Sequence, residues 1–277
     1  MVRYVTLAYG GAPGVFRQSL MLLVSLVAYA PDPYELVVAT DRPEYFVWFG
    51  TRVEIAYLDA AQLKGWRGAD AFSMRQKLAL VRMAWPQTGS IVLLDADVLA
   101  REPLAPFVER LHAGDLFMHK HEYDLGRSTR PGNRALWQQL RGRTFGTWEV
   151  RATDAMWNSG VMAARSTDRA LFDQALQLYD DMAAAGVRHF ATEQLVEGIV
   201  LGRTGRLRPA GRWFVHYWGN KAGYDAEISR RLADAFIEGL SVKDAAARYR
   251  EQPIDLPPEV RPTRVDKIAR WLKKPSG

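Results

Sequence analysis

The chain has 277 residues, 48% of them hydrophobic, a formal net charge of +6 and no cysteine. Such a length supplies a large core, burying roughly three quarters of the unfolded surface, and the lack of cysteine excludes disulfides, thiol nucleophiles and thiolate-bound zinc or iron–sulfur sites. Any metal must therefore sit on oxygen and imidazole ligands, while the basic balance suits an anionic partner without choosing among phosphate-bearing substrates, nucleic acid and an acidic membrane surface.

Residues 4–8 read as a buried strand, followed by a loop at Tyr9-Gly10-Gly11-Ala12-Pro13-Gly14. A long apolar helix is expected over 15–29, stopping near Pro31. A second strand covers 36–39 and ends at Thr40-Asp41; a short helix covers 43–49, with Pro43 tolerated in its first turn. A third strand runs over 52–58, alternating at Val53, Ile55 and Tyr57. Residues 73–85 form a helix with Ser73 as its cap and Pro86 beyond its end. Ile91-Val92-Leu93-Leu94 is a fourth strand, and its unbroken apolar run is that of a central parallel strand. Strand and helix in alternation imply an α/β fold, a mostly parallel sheet covered on both faces by helices.

Beyond that half, 116–118 reads as a strand, 122–151 as an irregular segment rich in Gly and Arg, and 161–163 as a strand. An amphipathic helix follows over 168–185, a shorter one over 192–201, and a last strand over 213–215. The chain divides into an α/β unit over 1–224, with 1–97 as a nucleotide-binding half and 98–224 as its second half, and a basic, helical C-terminal tail over 225–277. No signal peptide is expected, and the longest apolar stretch, residues 20–30, is about half the roughly 20 residues that span a bilayer. A cytoplasmic protein, or one peripheral to the inner face of the membrane, is expected.

Asp95 and Asp97 follow the fourth strand directly. Residues i and i+2 of a strand share a face, so both carboxylates project from the carboxyl end of a central strand, where open α/β sheets bind ligands. Two converging carboxylates repel unless a cation joins them, and their oxygens suit Mg²⁺ or Mn²⁺ completed by substrate phosphates. His119 and His121, at strand spacing, are a rival chelating pair.

The segment Val92-Leu93-Leu94-Asp95-Ala96-Asp97-Val98-Leu99 resembles the Asp-x-Asp strand of glycosyltransferases of the GT-A fold, in particular the family 8 group of glycogenin and bacterial lipopolysaccharide galactosyltransferases. Three further segments match in order: Trp157-Asn158-Ser159-Gly160-Val161-Met162, Thr192-Glu193-Gln194, and His216-Tyr217-Trp218-Gly219-Asn220-Lys221. The resemblance spans residues 4–221 and implies a nucleotide-diphospho-sugar transferase fold, with Asp95, Asp97 and His216 on Mn²⁺ and Mg²⁺ as the substitute. It implies phosphate contacts from Lys77 and Lys221, base and ribose contacts around Ala8, Tyr9 and Asp41, and UDP as the nucleotide. Ala96 belongs to the same nucleotide-binding set; Lys221 follows Gly219 by two residues where the family has three. Asn158, Ser159, Gly160 and Glu193 would hold the donor sugar, with Gln194 beneath the anomeric carbon and Glu standing where the family usually has Asp.

The reaction so implied moves a sugar from a nucleotide diphospho-sugar to an acceptor hydroxyl, such as a saccharide's, with retention. In an inverting alternative, Glu193 or Asp154 is the base; a non-catalytic nucleotide-sugar binder is the other alternative. Gly10, Gly11 and Gly14 with Asp41 resemble a Rossmann fingerprint, but the first two glycines are adjacent. No nucleic-acid partner is expected, because the arginines are scattered. Residues 122–151 are expected to shape the acceptor site, with Trp137, Trp148 and Trp157 as stacking residues. An apolar stripe of Val265, Ile268 and Leu272 beside Trp271 in the basic tail suggests peripheral contact with an anionic membrane.

Overall fold

The computed structural model describes residues 1–67 and 75–257. The expected helix cap Ser73 and the stripe of Val265, Ile268, Trp271 and Leu272 lie outside the described residues.

The chain opens with β1 (Val2–Ala8), α1 (Pro13–Tyr29) and β2 (Tyr34–Thr40). The segment expected as a short helix is a 3₁₀ stretch, Pro43–Arg52, which leads into β3 (Val53–Tyr57). Then come α2 (Ala60–Arg67), α3 (Arg75–Met83), β4 (Ser90–Leu94), β5 (Val98–Ala100), α4 (Ala105–Ala113) and β6 (Leu116–Asp124). Where the sequence suggests irregular chain, the structure has α5 (Pro131–Leu140) and a hairpin of β7 (Thr144–Phe145) and β8 (Trp148–Glu149). The remainder is β9 (Ala155–Arg165), α6 (Arg169–Ala184), α7 (Thr192–Gly202), β10 (Leu207–Pro209), β11 (Phe214–His216), α8 (Lys221–Ile237) and α9 (Val242–Glu251).

Seven strands form the main sheet in the order β10-β6-β9-β4-β1-β2-β3. The sheet is parallel except for β9, which runs antiparallel to both its neighbours, β4 and β6. The central strand β4 carries an unbroken apolar run, Ile91 to Leu94, because both faces of the sheet are covered there, and all five of its residues are buried. From β1 the chain builds outward through β2 and β3, then returns on the other side of β1 as β4. The gap between the carboxyl ends of β1 and β4 is thus a topological switch point, the place where open α/β sheets bind ligands.

Helix α1 is buried on nearly every side, from Phe16 through Leu20, Leu22, Leu23 and Leu26 to Ala28. A helix apolar all round needs a second covering layer, and α8 and α9 provide it. Ile228, Leu232, Ala245, Ala246 and Tyr249 belong to the same core as α1. Residue 225, where the sequence suggests that a tail begins, lies inside α8, and Asp225 accepts a 2.6 Å hydrogen bond from Gln18 on α1. On the other side of the sheet, α3 and α6 meet it through Leu80, Val81 and Phe172, while α5, α6, α7 and the β7–β8 hairpin enclose a third cluster around Leu136, Phe145, Tyr179 and Leu195. No helix among the described residues is long and apolar enough to cross a membrane.

The Tyr249 hydroxyl pins α9 to the sheet side of the core by donating 2.8 Å to the Ala100 carbonyl, with both groups buried. Tyr249→Phe should lower stability by about 1 kcal/mol, the net worth of one such bond. The expected reading is a lower urea midpoint with an unchanged slope.

Candidate functional site

Asp95 and Asp97 leave the end of β4 and enter β5, and the turn between them is locked by the Val98 amide donating to the Asp95 carbonyl at 3.1 Å. His216 arrives from far along the chain. It is the last residue of β11, which pairs antiparallel with β5 in a separate two-stranded ribbon that sets His216 opposite Val98. One ligand atom from each of Asp95, Asp97 and His216 lies within 4.8 Å of the others. His216 Nε2 is 3.2 Å from Asp97 Oδ1, and Lys221 Nζ is 3.2 Å from Asp97 Oδ2. Burial pushes the Asp97 carboxyl up, but the hydrogen bonds and charges of His216 and Lys221 outweigh it and hold the group well below the usual carboxylate range.

The orientation of His216 follows from its other nitrogen. Asn158 Oδ1 accepts from the Gly160 amide at 3.1 Å, so that atom is an acceptor, and His216 Nδ1 at 2.8 Å must carry a proton. In a neutral imidazole this leaves the Nε2 lone pair directed at a carboxylate oxygen. A cation, whether the ring's second proton or a metal ion, is what joins the two, so the three side chains fit a divalent ion with nitrogen and oxygen preferences. Asn158 thereby acts as the outer partner that fixes tautomer and ring orientation, a feature common to histidine ligands. Gly160 makes room for the ring: a Cβ on it would lie 2.3 Å from His216 Nδ1. The resemblance assigns Gly160 to close approach by the sugar; here the close neighbour is the imidazole.

Beneath this cluster lies a buried ion network. Lys77, on α3, places its ammonium 2.8 Å from Asp95 Oδ1 and 3.3 Å from Glu193 Oε1, and donates to the Ser159 carbonyl at 2.7 Å and hydroxyl at 3.0 Å. The Ser159 hydroxyl donates in turn to Glu193 Oε2 at 3.0 Å, and the Ser159 amide donates to Gln194 Oε1 at 3.2 Å. Burial opposes the charge on Lys77, but Asp95, Glu193 and Glu197 together hold its ammonium above the ordinary range. Glu197, one turn after Glu193, is fully buried, and neither of its oxygens meets a hydrogen-bond donor. Burial and the charge of Glu193 push its carboxyl well above the usual carboxylate range. Sequence reading overlooked Glu197; its i, i+4 spacing from Glu193 on an otherwise apolar helix was the available signal.

The expected nucleoside residues form a second group at the carboxyl ends of β1 and β2. The Gly10 amide, at φ +93°, donates to both Asp41 oxygens at 3.2 Å. The Tyr9 hydroxyl donates to Gln76 Oε1 at 2.5 Å, which ties this loop to the residue before Lys77. Ala8 is fully buried, backbone included, and Ala96 is buried as well, so neither presents surface to a ligand.

The remaining candidates lie apart. Asp154 is held by Arg203 at 2.9 and 2.7 Å and by the Arg151 amide at 2.8 Å, so its oxygens are engaged. The rival histidines do not converge on a cation. His121 pairs with Asp124 at 2.9 Å, whereas burial pushes His119 down to about 3 and its Nε2 lies 3.3 Å from the Phe214 carbonyl. Of the tryptophans, Trp137 and Trp148 pack against the third core cluster, and Trp157 is half-buried on β9.

No protein-family model and no curated protein sequence matches the chain.

Two outcomes follow from this geometry. Asn158→Ala should weaken Mn²⁺ binding roughly 10–100-fold, the usual effect of losing an outer partner, and Gly160→Ala should do at least as much by displacing the ring; titration of free Mn²⁺ by electron paramagnetic resonance reads both. Lys77→Met leaves buried carboxylates without their cation, at a cost of about 3–5 kcal/mol. Because the Lys77 pKa is raised above its ordinary 10.5, its contribution is complete below pH 10.5 and is lost as the pH rises toward the folded value. The gap between wild type and variant in urea melts should therefore be full at neutral pH and narrow in strong alkali.

Proposed function

We propose that the chain is a metal-dependent glycosyltransferase of the GT-A fold, moving a sugar from a nucleotide diphospho-sugar, with UDP as the nucleotide, to an acceptor hydroxyl with retention. The observation that carries the reading is the convergence of Asp95, Asp97 and His216 at the topological switch point, with the Lys221 ammonium on one flank and the Ser159–Glu193–Gln194 group on the other. The seven-stranded α/β sheet is compatible with that fold. A nucleotide sugar needs these parts together: a cationic seat for two phosphates, and polar groups for sugar hydroxyls beside it.

Asp95, Asp97 and His216 would hold the divalent ion, Mn²⁺ by ligand type, which when bound supplies Lewis-acid neutralisation of the leaving diphosphate. Lys221, about half exposed at the start of α8, is the ammonium able to reach a phosphate. Lys77 is committed to Asp95, Glu193 and Ser159, so its part is to orient carboxylates and not to touch the donor. The Tyr9 ring and the Gly10–Asp41 loop stand at the neighbouring strand ends and would receive the nucleoside. The Gln194 amide oxygen, held toward Ser159, keeps a second lone pair for positive charge developing on the sugar.

In the reaction the bond between the anomeric carbon and the phosphate oxygen breaks, and a bond to the acceptor oxygen forms on the same face. The acceptor proton passes to the departing phosphate oxygen, so no protein base is required. In an inverting enzyme a base would be needed, and with Asp154 bound to Arg203 only Glu193 would remain near the metal ligands.

Thermal melting with a panel of UDP- and GDP-sugars, each with and without Mn²⁺, tests the reading. A ligand at 100 times its dissociation constant adds about 2.7 kcal/mol of stability. The expected result is stabilisation by a UDP-sugar that requires Mn²⁺ and disappears in Asp97→Asn. Absence of a metal-dependent shift with every nucleotide sugar would overturn it, and an inverted anomeric centre in the product, read by NMR, would overturn retention.

A further inference from the structure

A cavity of about 430 Å³ lies along the carboxyl-terminal half of α7, between the amino end of β9, the end of β6 and β10. Its size falls within the roughly 300–1,000 Å³ of small-molecule sites. Two of the elements that line it also build the metal-side cluster. Helix α7 carries Glu193 and Gln194 at one end and presents Gly198 and Gly202 to the cavity, with Arg203 just past its end. Strand β9 carries Asn158 and Ser159 and presents Ala155 and Trp157.

The lining is cationic. Arg151, Arg203 and Arg208 face it, together with His121. Both carboxylates in the wall are already engaged: Asp154 by Arg203 and the Arg151 amide, Asp124 by His121 at 2.9 Å and Arg127 at 3.6 Å. The Arg151 guanidinium has no ion-pair or hydrogen-bond partner among the described residues. Arg208 is engaged: it donates to the Gly205 and Leu207 carbonyls at 3.0 Å and lies 3.6 Å from Asp115. Trp157 adds an aromatic wall, with the His121 ring set edge-on to it at 5.4 Å. The glycines serve two purposes. A Cβ on Gly198 would strike the Ala155 carbonyl at 2.3 Å, so that glycine allows α7 to lie against β9. Gly202 and Gly205 line the cavity with open space beside them, nothing lying within 4 Å of a Cβ added at either, and Gly205 has φ +71°.

We propose that this cavity binds a sugar unit bearing a carboxylate or a phosphate, with the Arg151 guanidinium on the anion and the Trp157 indole against the ring. A guanidinium forms two parallel hydrogen bonds to either anion, and an indole offers an apolar face with a polar edge to a partly apolar ring. Assigning that sugar to the acceptor rests on the transferase reading; the binding itself does not.

Saturation-transfer NMR on the whole chain with methyl glucuronide, methyl galactoside 6-phosphate and neutral methyl galactoside tests the proposal and separates the two anion sources. Either acidic sugar should bind at least about tenfold more tightly than the neutral one, the equivalent of one charge-assisted bond. Arg151→Gln should erase that preference. Gly202→Leu, at a helical position with open space beside it, should abolish binding while leaving the melting temperature near that of wild type. Asp97→Asn should bind the acidic sugars as wild type does. Equal binding of acidic and neutral sugars, indifference to Arg151→Gln and Gly202→Leu, or loss of binding in Asp97→Asn would each overturn it. Acidic-sugar binding that persists when no nucleotide sugar binds would remove the acceptor assignment and leave the site standing.

Discussion

One buried ammonium joins the elements on which the site is built. Lys77 comes from α3, and its partners lie at the end of β4, within β9 and at the start of α7. An ion so deeply enclosed is tolerable only if its charge and all its protons are matched, since desolvation costs several kcal/mol per ion. Asp95, Glu193 and the two Ser159 oxygens provide that match. The same contacts fix one carboxylate of the metal-side cluster and draw the amino end of α7 against the sheet. Glu197, a second buried acid beside Glu193, meets no hydrogen-bond donor, and burial and the Glu193 charge push its carboxyl well up.

The cluster also depends on one reversal of strand polarity. β9 runs antiparallel between β4 and β6, so it leads into the sheet from the ligand-binding end and presents Asn158, Ser159 and Gly160 there. The Asp95 amide then donates to the Gly160 carbonyl at 2.9 Å, seating the carboxylate turn on β9. The β5–β11 ribbon crosses this edge and delivers His216 over Gly160, where a side chain of any size would block it. Three segments widely separated in the chain thus meet because of backbone pairing, and their side-chain chemistry follows from that meeting.

Much of this was legible in the sequence, and the rest was not for physical reasons. The apolar run at 91–94 could only be a central strand, and two carboxylates directly after it had to emerge at its carboxyl end. The roles of Lys77 and Asn158 were harder to read. Both have the chemistry to touch a ligand, and only the fold shows Lys77 turned onto Asp95 and Glu193 and the Asn158 oxygen turned onto His216. The extent of β9 was hidden because Asn158, Ser159 and Gly160 interrupt its apolar pattern. Helix α5 and the β7–β8 hairpin bury little on their own; their order comes from α6 and α7, which supply the facing surface. In the same way α8 and α9 read as a polar, basic tail until α1 is seen to need covering.

Helix α7 connects the metal-side cluster with the cationic cavity, and it is clamped at both ends. Glu193 is held at its amino end by Lys77 and Ser159, and Arg203, just past its carboxyl end, is held by Asp154. Gly198 lets the middle of the helix rest directly on β9. A helix fixed at three points cannot slide or tilt without breaking two ion pairs in buried surroundings, so the spacing between the two sites is set by its length. At 1.5 Å per residue, Glu193 and Gly202 stand roughly 13 Å apart along the axis. If the proposed anion site and the proposed transfer reaction both hold, a molecule anchored in the cavity would have to span about that distance to bring a hydroxyl to the metal side, which favours an extended acceptor over a single small one.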